Sequence, residues 1–287
     1  MKIAVLILAH KDAAQTERLI NRLQHPSLHL FIHVDKKSPL SKHSFSSPVT
    51  QIKNNIPVFW GDFSPVQATL NGMKEISEKL GVFDYFILLS GQDYPIKPTE
   101  SLLQFLQQNK GSEFIDHHPV TEDGWKAAMS RYQYFYYRKN KNVWGWAFFA
   151  VVRTFMKITG IKRKSPVPVW AGSQWFNISY AAFDYILKYT SANPELVSFM
   201  KRSNFTDELF FQTVLLNSPF KNNCVNNSLR YIHWNEASME ENKSPGIIGI
   251  KDLAVIQQSP AFFARKFDAA VDSAILNELD KITGYTS

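Results

Sequence analysis

The chain has 287 residues, 45% of them hydrophobic and 20% charged, an ordinary globular balance that excludes a disordered chain and leaves room for a sizeable core. Thirty-two lysines and arginines against 25 acids give a net charge of +7, which favours anionic partners. The single cysteine, Cys224, excludes an internal disulfide framework and a cysteine-based zinc module, and reads as a small buried hydrophobe.

Lys2–Ala9 is an apolar run bounded by polar residues, the pattern of a strand buried on both faces. It lacks the charged region and cleavage site of a leader and falls short of the roughly 20 apolar residues of a membrane span, so the expected location is the cytoplasm. Asp12–Gln24 has the spacing of an amphipathic helix, closed near His25-Pro26. Leu28–Val34 is predicted as a second strand and Pro57–Trp60 as a third. Ser64–Leu80 is predicted as a helix capped by Ser64, with Pro65 in its first turn. A strong strand follows at Tyr85–Leu89, then a helix capped by Thr99 and a short strand at Glu113–Ile115. This β-α-β alternation predicts an α/β fold with a mostly parallel, Rossmann-type sheet flanked by helices. Ligands of such sheets bind beyond the carboxyl ends of the strands, which here are His10, His33-Val-Asp35 and Ser90-Gly-Gln-Asp93. Asp35 and Asp93 are equally natural as turn or cap residues.

Charge is unevenly spread. Gly124–Phe183 holds no acid but ten bases, together with five of the seven tryptophans, whereas the rest of the chain carries 22 bases and 25 acids. Three readings of this stretch stand side by side: a solvated basic face over buried aromatics, a surface for lipid headgroups, and a cover for a groove holding an anionic substrate. Basic charge among aromatics also suits single-stranded nucleic acid, but no nucleic-acid motif is present, so none is expected as a partner. The whole chain is expected to be one domain, 1–287, with an irregular basic aromatic insertion at 120–165 between the segments 1–115 and 166–287.

Neither nucleotide-binding glycine fingerprint occurs, and His-Glu-x-x-His, Gly-x-Ser-x-Gly and Asp-x-Asp are absent too. A site for diphosphate without Asp-x-Asp must neutralise it with lysine and arginine. Three late segments stand out. Trp170-Ala-Gly-Ser-Gln-Trp-Phe-Asn-Ile-Ser179 sets Ser173 and Trp175 beside a strand-like run. Thr206-Asp-Glu-Leu-Phe-Phe-Gln212 sets Asp207 and Glu208 at a helix start, where Thr206 is a natural cap and acids are favourable for the helix dipole as well as for chemistry. Phe262-Phe-Ala-Arg-Lys-Phe-Asp268 offers the adjacent bases Arg265 and Lys266, which also suit a plain basic turn.

These segments fall into a series: Leu6–Lys11, His33-Val-Asp-Lys-Lys-Ser38, Ser64-Pro-Val-Gln-Ala68, Phe86–Lys97, Gly172-Ser-Gln-Trp-Phe176, Thr206-Asp-Glu208, Leu229–Trp234 and Phe263–Asp268. In this order they resemble the core-2/I-branching β-1,6-N-acetylglucosaminyltransferases and the related peptide O-xylosyltransferases, over nearly the whole chain outside the basic insertion. The resemblance implies a GT-A-like fold and an inverting transfer of a sugar, GlcNAc or xylose, from a UDP-sugar to a glycan hydroxyl, with no metal or other cofactor. It places the catalytic base on Glu208 and the diphosphate clamp on Arg265 and Lys266, with Lys243 in a looser match. His33 and Asp35 fall in the segment lining the uridine pocket, and His10 joins this donor-binding set. Trp234 falls at an acceptor-sugar position, and Asp93, Ser173, Trp175 and Asp207 complete the substrate-binding candidates.

The chain departs from the family at Gln174, where xylosyltransferases carry an acid, and at Asn235-Glu236 after Trp234. The disulfides, anchor and stem of the animal enzymes are not expected here. The expected type is therefore a bacterial-style relative that builds a surface polysaccharide, on a glycan or lipid-linked glycan acceptor, with peripheral contact on the inner face of the membrane. Two other classes remain: a glycoside hydrolase pairing Glu208 with Asp207 or Asp93, and an inactive binding module.

Overall fold

The computed structural model describes residues 1–137, 143–234 and 245–284. At its centre, β1 (Ile3–Ala9), β2 (Leu28–Val34), β3 (Thr50–Gln51) and β4 (Tyr85–Ser90) run parallel in the order β3-β2-β1-β4. Alternation along β1 sends Ile3, Val5 and Ile7 into one core and Ala4 and Leu6 into the other. The first core is closed by helices α1 (Ala13–Arg22) and α3 (Thr99–Gln108) and by the last helix, Ala274–Ile282; α2 (Ser64–Leu80) closes the second.

Eight further strands follow. They are β5 (Tyr94–Pro95), β6 (Glu113–Ile115), β7 (His118–Pro119), β8 (Trp170–Ala171), β9 (Phe176–Ser179), β10 (Cys224–Val225), β11 (Arg230–Ile232) and β12 (Phe263–Arg265). The seven-stranded main sheet continues past β4 as β9, β6 and β10. It is mixed, because β9 runs antiparallel to both β4 and β6. The chain enters β9 at the carboxyl end of β4, where Ile87 faces Asn177 and Tyr85 faces Ser179. A strand that starts at that end without a crossover helix can only run back. A small second sheet, β11-β12-β5, pairs Ala264 with Tyr94 and Phe263 with Pro95, which carries Arg265 to the turn that follows β4.

Residues 57–60 form no strand, and the third parallel position belongs to Thr50–Gln51. Side chains take the amides a strand would need: Ile56 N–H donates to His33 Nε2 at 3.1 Å, Val58 to Asp35 Oδ1 at 3.2 Å and Phe59 to Ser64 Oγ at 2.7 Å. Ser64 is therefore inside the helix, its own amide covered by Asp62 Oδ1 at 2.7 Å. Thr206 does not cap either, since its hydroxyl donates to the Asp62 carbonyl at 3.1 Å, and Thr99 lies inside α3, whose cap position is Pro98. Asp12 does cap α1, accepting the Gln15 amide at 2.9 Å. Cys224 is half-buried, and burial pushes its thiol up to about 12.

The insertion is not irregular throughout. After the short α4 (Met129–Gln133) it forms α5, a 17-residue helix over Val143–Thr159. Three helices complete the second core around β9: α6 (Tyr180–Ala192), α7 (Pro194–Met200) and α8 (Phe210–Leu216). Among the described residues no helix is long and apolar enough to cross a membrane.

Helix α2 packs tightly on β1 at Gly72, where an added Cβ would sit 2.5 Å from a methyl of fully buried Leu6. Gly72→Val is expected to destabilise the fold by about 1–3 kcal/mol, the usual cost of overpacking. A urea unfolding midpoint at or above the parent's contradicts this packing.

Candidate active site

A cleft of about 1230 Å³ opens at the carboxyl ends of β1, β2 and β4. His10, His33, Asp35, Ser173, Trp175, Asp207, Glu208, Trp234, Arg265 and Lys266 all line it. Asp93 lies behind this wall, fully buried, and Lys243 is outside the described residues.

The floor is built around Arg265. Its Nε is 3.2 Å from Asp93 Oδ1, and its guanidinium carbon is 4.3 Å from the centre of the Trp175 ring. Asp93 is fixed by the turn after β4, accepting the Ser90 amide at 2.9 Å and the Ser90 hydroxyl at 3.1 Å. Trp175 is buried, so Arg265 is pressed between a carboxylate and an aromatic face, a geometry that suits a weakly hydrated planar cation. Among the described residues its Nε has no aligned hydrogen-bond acceptor. Burial, opposed by Asp93, shifts Arg265 below its ordinary range.

Lys266 follows across a cis peptide bond. Burial, Arg265 and Lys11 depress its ammonium. The loop that carries it is stitched to the β4 turn: Phe267 N–H donates to the Gln92 carbonyl at 2.9 Å, and Gln15 Nε2 donates to the Phe267 and Gly91 carbonyls, both at 3.1 Å. Arg230, underneath, is buried and donates to the Leu88 and Ser228 carbonyls, each at 2.5 Å; burial pushes it down to about 10. Arg265 and the buried Arg230 both feel the charge of Asp93, and Lys266 stands beside Arg265 at the cleft, so an anion there would meet two cations.

The wall beside β2 holds His33 and Asp35. His33 Nε2 accepts the Ile56 amide, so the ring proton is on Nδ1, and burial lowers its basicity. Asp35 accepts from the Lys37 and Val58 amides at 3.0 and 3.2 Å and pairs with Lys37 Nζ at 2.9 Å. It is a turn residue and a cleft residue at once. His10 is lowered by burial and then by Lys11.

Glu208 ends a 3₁₀ turn, Thr206–Glu208, entered through Phe205 with φ of 49°. Phe205 N–H donates to the Gly61 carbonyl and Gly172 N–H to the Glu208 carbonyl, both at 2.9 Å. Gly172 is required there, because a Cβ would fall 1.8 Å from the Asp116 carbonyl oxygen. Glu208 Oε2 accepts from Arg131 Nη1 at 2.5 Å. The Arg131 guanidinium carbon lies 4.8 Å from the Trp125 ring centre and 5.1 Å from that of Phe205. Asp207 is buried at the cleft wall, where burial first and Glu208 second push its carboxyl up to about 7; among the described residues its Oδ1 has no partner. Ser173 Oγ accepts the Trp175 amide at 3.3 Å, and its carbonyl accepts Gln212 Nε2 at 2.6 Å. Trp234 is half-exposed at the rim.

Sequence reasoning missed Arg131, Lys37, Trp125 and Phe205. For Arg131 the only signal was the acid-free stretch that contains it; its partner is 77 residues away. Among the described residues no group of three or more His, Cys, Asp or Glu side chains is placed to hold a metal ion.

The family model described as Core-2/I-Branching enzyme matches residues 3–257. The chain is similar to Xylosyltransferase 2 of Rattus norvegicus, at 28% identity over 307 aligned positions, covering 98% of this chain and 33% of that protein. It is similar to Xylosyltransferase 1 of Homo sapiens at 26% identity over 306 positions, covering 98% and 30%. The chain thus spans about a third of the length of these curated relatives.

The Asp207 carboxyl sets a pH dependence of stability. Its native form holds a proton up to about pH 7, whereas the unfolded chain releases it near pH 4. Stability therefore falls as pH rises between these limits, by up to about 1.4 kcal/mol per unit for one proton. Asp207→Asn should gain on the parent as pH rises from 5 to 8 in urea unfolding; parallel curves would contradict a buried, protonated Asp207.

Proposed function

The chain belongs to the Core-2/I-Branching enzyme family, and on that premise we propose that it transfers a sugar from a UDP-sugar to a glycan hydroxyl, with inversion and without a divalent metal. The observation that carries the reading is that Glu208 and the Arg265–Lys266 pair line one cleft, with Arg265 subject to the charge of Glu208.

In this reading the donor lies across the carboxyl ends of β1 and β2 in a GT-A-like arrangement, the uridine beside His33 and Asp35 and the diphosphate over Arg265 and Lys266. The acceptor enters past Trp234, where a ring face can cover the C–H surface of a sugar. Glu208 takes the proton of the acceptor hydroxyl as its oxygen attacks the anomeric carbon from the face opposite UDP. The bond from that carbon to the UDP oxygen breaks, and the charge that grows on the leaving phosphate meets the two cations. Arg131 occupies only Oε2 of Glu208, and among the described residues no donor reaches Oε1, which is the oxygen left for the hydroxyl. Asp93 acts as a positioning residue through Arg265. A hydrolase reading leaves the basic floor without a role. The names of the relatives make UDP-xylose the first donor to try and UDP-GlcNAc the second.

Glu208→Gln is expected to keep UDP binding and to lower turnover by at least about 10²-fold, the scale of a lost general base. The check is transfer from UDP-xylose or UDP-GlcNAc to a glycan acceptor under saturating donor. Turnover equal to the parent's would remove Glu208 from the mechanism.

A further inference from the structure

Helix α5 turns its apolar side outward. Phe148, Val151, Phe155 and Ile158 are 63%, 69%, 58% and 80% exposed, and steps of three or four residues align them in one stripe. Trp144 one turn earlier and Ile161 just past the helix end extend it, at 85% and 54% exposed. A different face anchors the helix to the protein: Met156 is buried, and the Phe149 ring centre lies 5.2 Å from that of Tyr137 and 5.5 Å from that of Phe135. The outward stripe is therefore not what holds α5 in place. A contiguous apolar patch of this kind on a water-facing helix marks an interaction surface.

The charge around the stripe selects its partner. The exposed bases Arg153, Lys157, Lys162 and Lys164 lie on the helix or just after it, inside the 60-residue stretch that contains no acid. A second copy of the chain would bring the same cations against these. A bilayer with anionic headgroups meets both demands, since acyl chains accept the stripe and phosphates accept the bases. Among the described residues no helix is long and apolar enough to cross a membrane, so the contact argued for is in the plane of the surface.

We propose that α5 is a peripheral membrane anchor that lies in the headgroup region of an anionic bilayer, its Phe148–Val151–Phe155–Ile158 stripe toward the acyl chains. Arg153 lines the cleft, as do Tyr134, Phe135 and Tyr136 of the segment under α5, so docking holds the cleft mouth close to the membrane. The docking rests on the helix and its charge. Its consequence, delivery of a membrane-borne acceptor to the site, rests on the transferase reading.

The test is flotation with phosphatidylcholine vesicles, with and without phosphatidylglycerol, at low and high salt. The protein should float with the anionic vesicles at low salt and be released by high salt. Phe148→Ser/Val151→Ser/Phe155→Ser/Ile158→Ser should lower partitioning at least about tenfold, with unchanged circular dichroism and unchanged transfer to a soluble acceptor. Lys157→Gln/Lys162→Gln/Lys164→Gln, which leaves the stripe intact, should weaken anionic binding and flatten its salt dependence. A parent that stays in the soluble fraction at low salt overturns the anchor, as does equal flotation of both variants. A concentration-dependent dimer in sedimentation velocity that the serine variant abolishes would overturn it too, by assigning the stripe to a second copy. Flotation, circular dichroism and sedimentation are independent of catalysis, so a failed transferase assay leaves them intact.

Discussion

The site depends on one buried arrangement, the Arg265 guanidinium held between Asp93 and Trp175. Each partner comes from a different element whose position the fold fixes for other reasons. Asp93 sits in the turn that ends β4, Trp175 precedes the antiparallel β9, and Arg265 closes β12, which is paired to β5 in a register that leaves it beside that turn. A buried arginine without a carboxylate is costly, and a buried carboxylate without a cation equally so. Arg230 below and Lys266 beside them add two further cations. The fold thus stores an attraction for a polyanion where parallel sheets bind their ligands.

The second half of the site is the wall carrying Glu208. Its carboxylate is tied to the basic insertion by Arg131, which Trp125 and Phe205 sandwich. Its backbone is tied to the β8–β9 connection through Gly172. Asp207, next in sequence, is buried in the same wall, where burial favours its neutral form. Two adjacent acids thus have different environments, one paired with an arginine, the other buried and neutral. The same insertion supplies α5, so one stretch of sequence both borders the cleft and presents an apolar stripe to the outside.

Much of this was legible in the sequence. The apolar runs of β1, β2 and β4 are buried on both faces, and their length and bounds follow from hydrophobicity alone. The third strand lies elsewhere than the pattern suggests because residues 56–59 are held by side chains of His33, Asp35 and Ser64 rather than by a ladder, and such side-chain bonds, two of them reaching across 23 residues, leave no periodic trace. The antiparallel β9 was missed because direction depends on which end of the sheet the chain returns to. Helix α5 escaped notice because its apolar stripe faces out, while the readable signal assumes that apolar faces turn inward. The candidate residues came from motif order, and the cleft gathers most of them. Asp93 stands one layer further back, since a carboxylate under an arginine looks the same in sequence as one beside a substrate. Arg131 was invisible as an individual because its meaning lies in a contact made across 77 residues.

The most direct measurement is calorimetric titration of UDP into the protein in EDTA and again with manganese, for the parent and for Arg265→Ala/Lys266→Ala. A basic floor that holds diphosphate by itself predicts micromolar binding that manganese leaves unchanged, weakened at least about tenfold in the double variant, as expected for lost charge-assisted bonds. Parent protein that ignores UDP in both buffers, or binds it only with manganese, would contradict it.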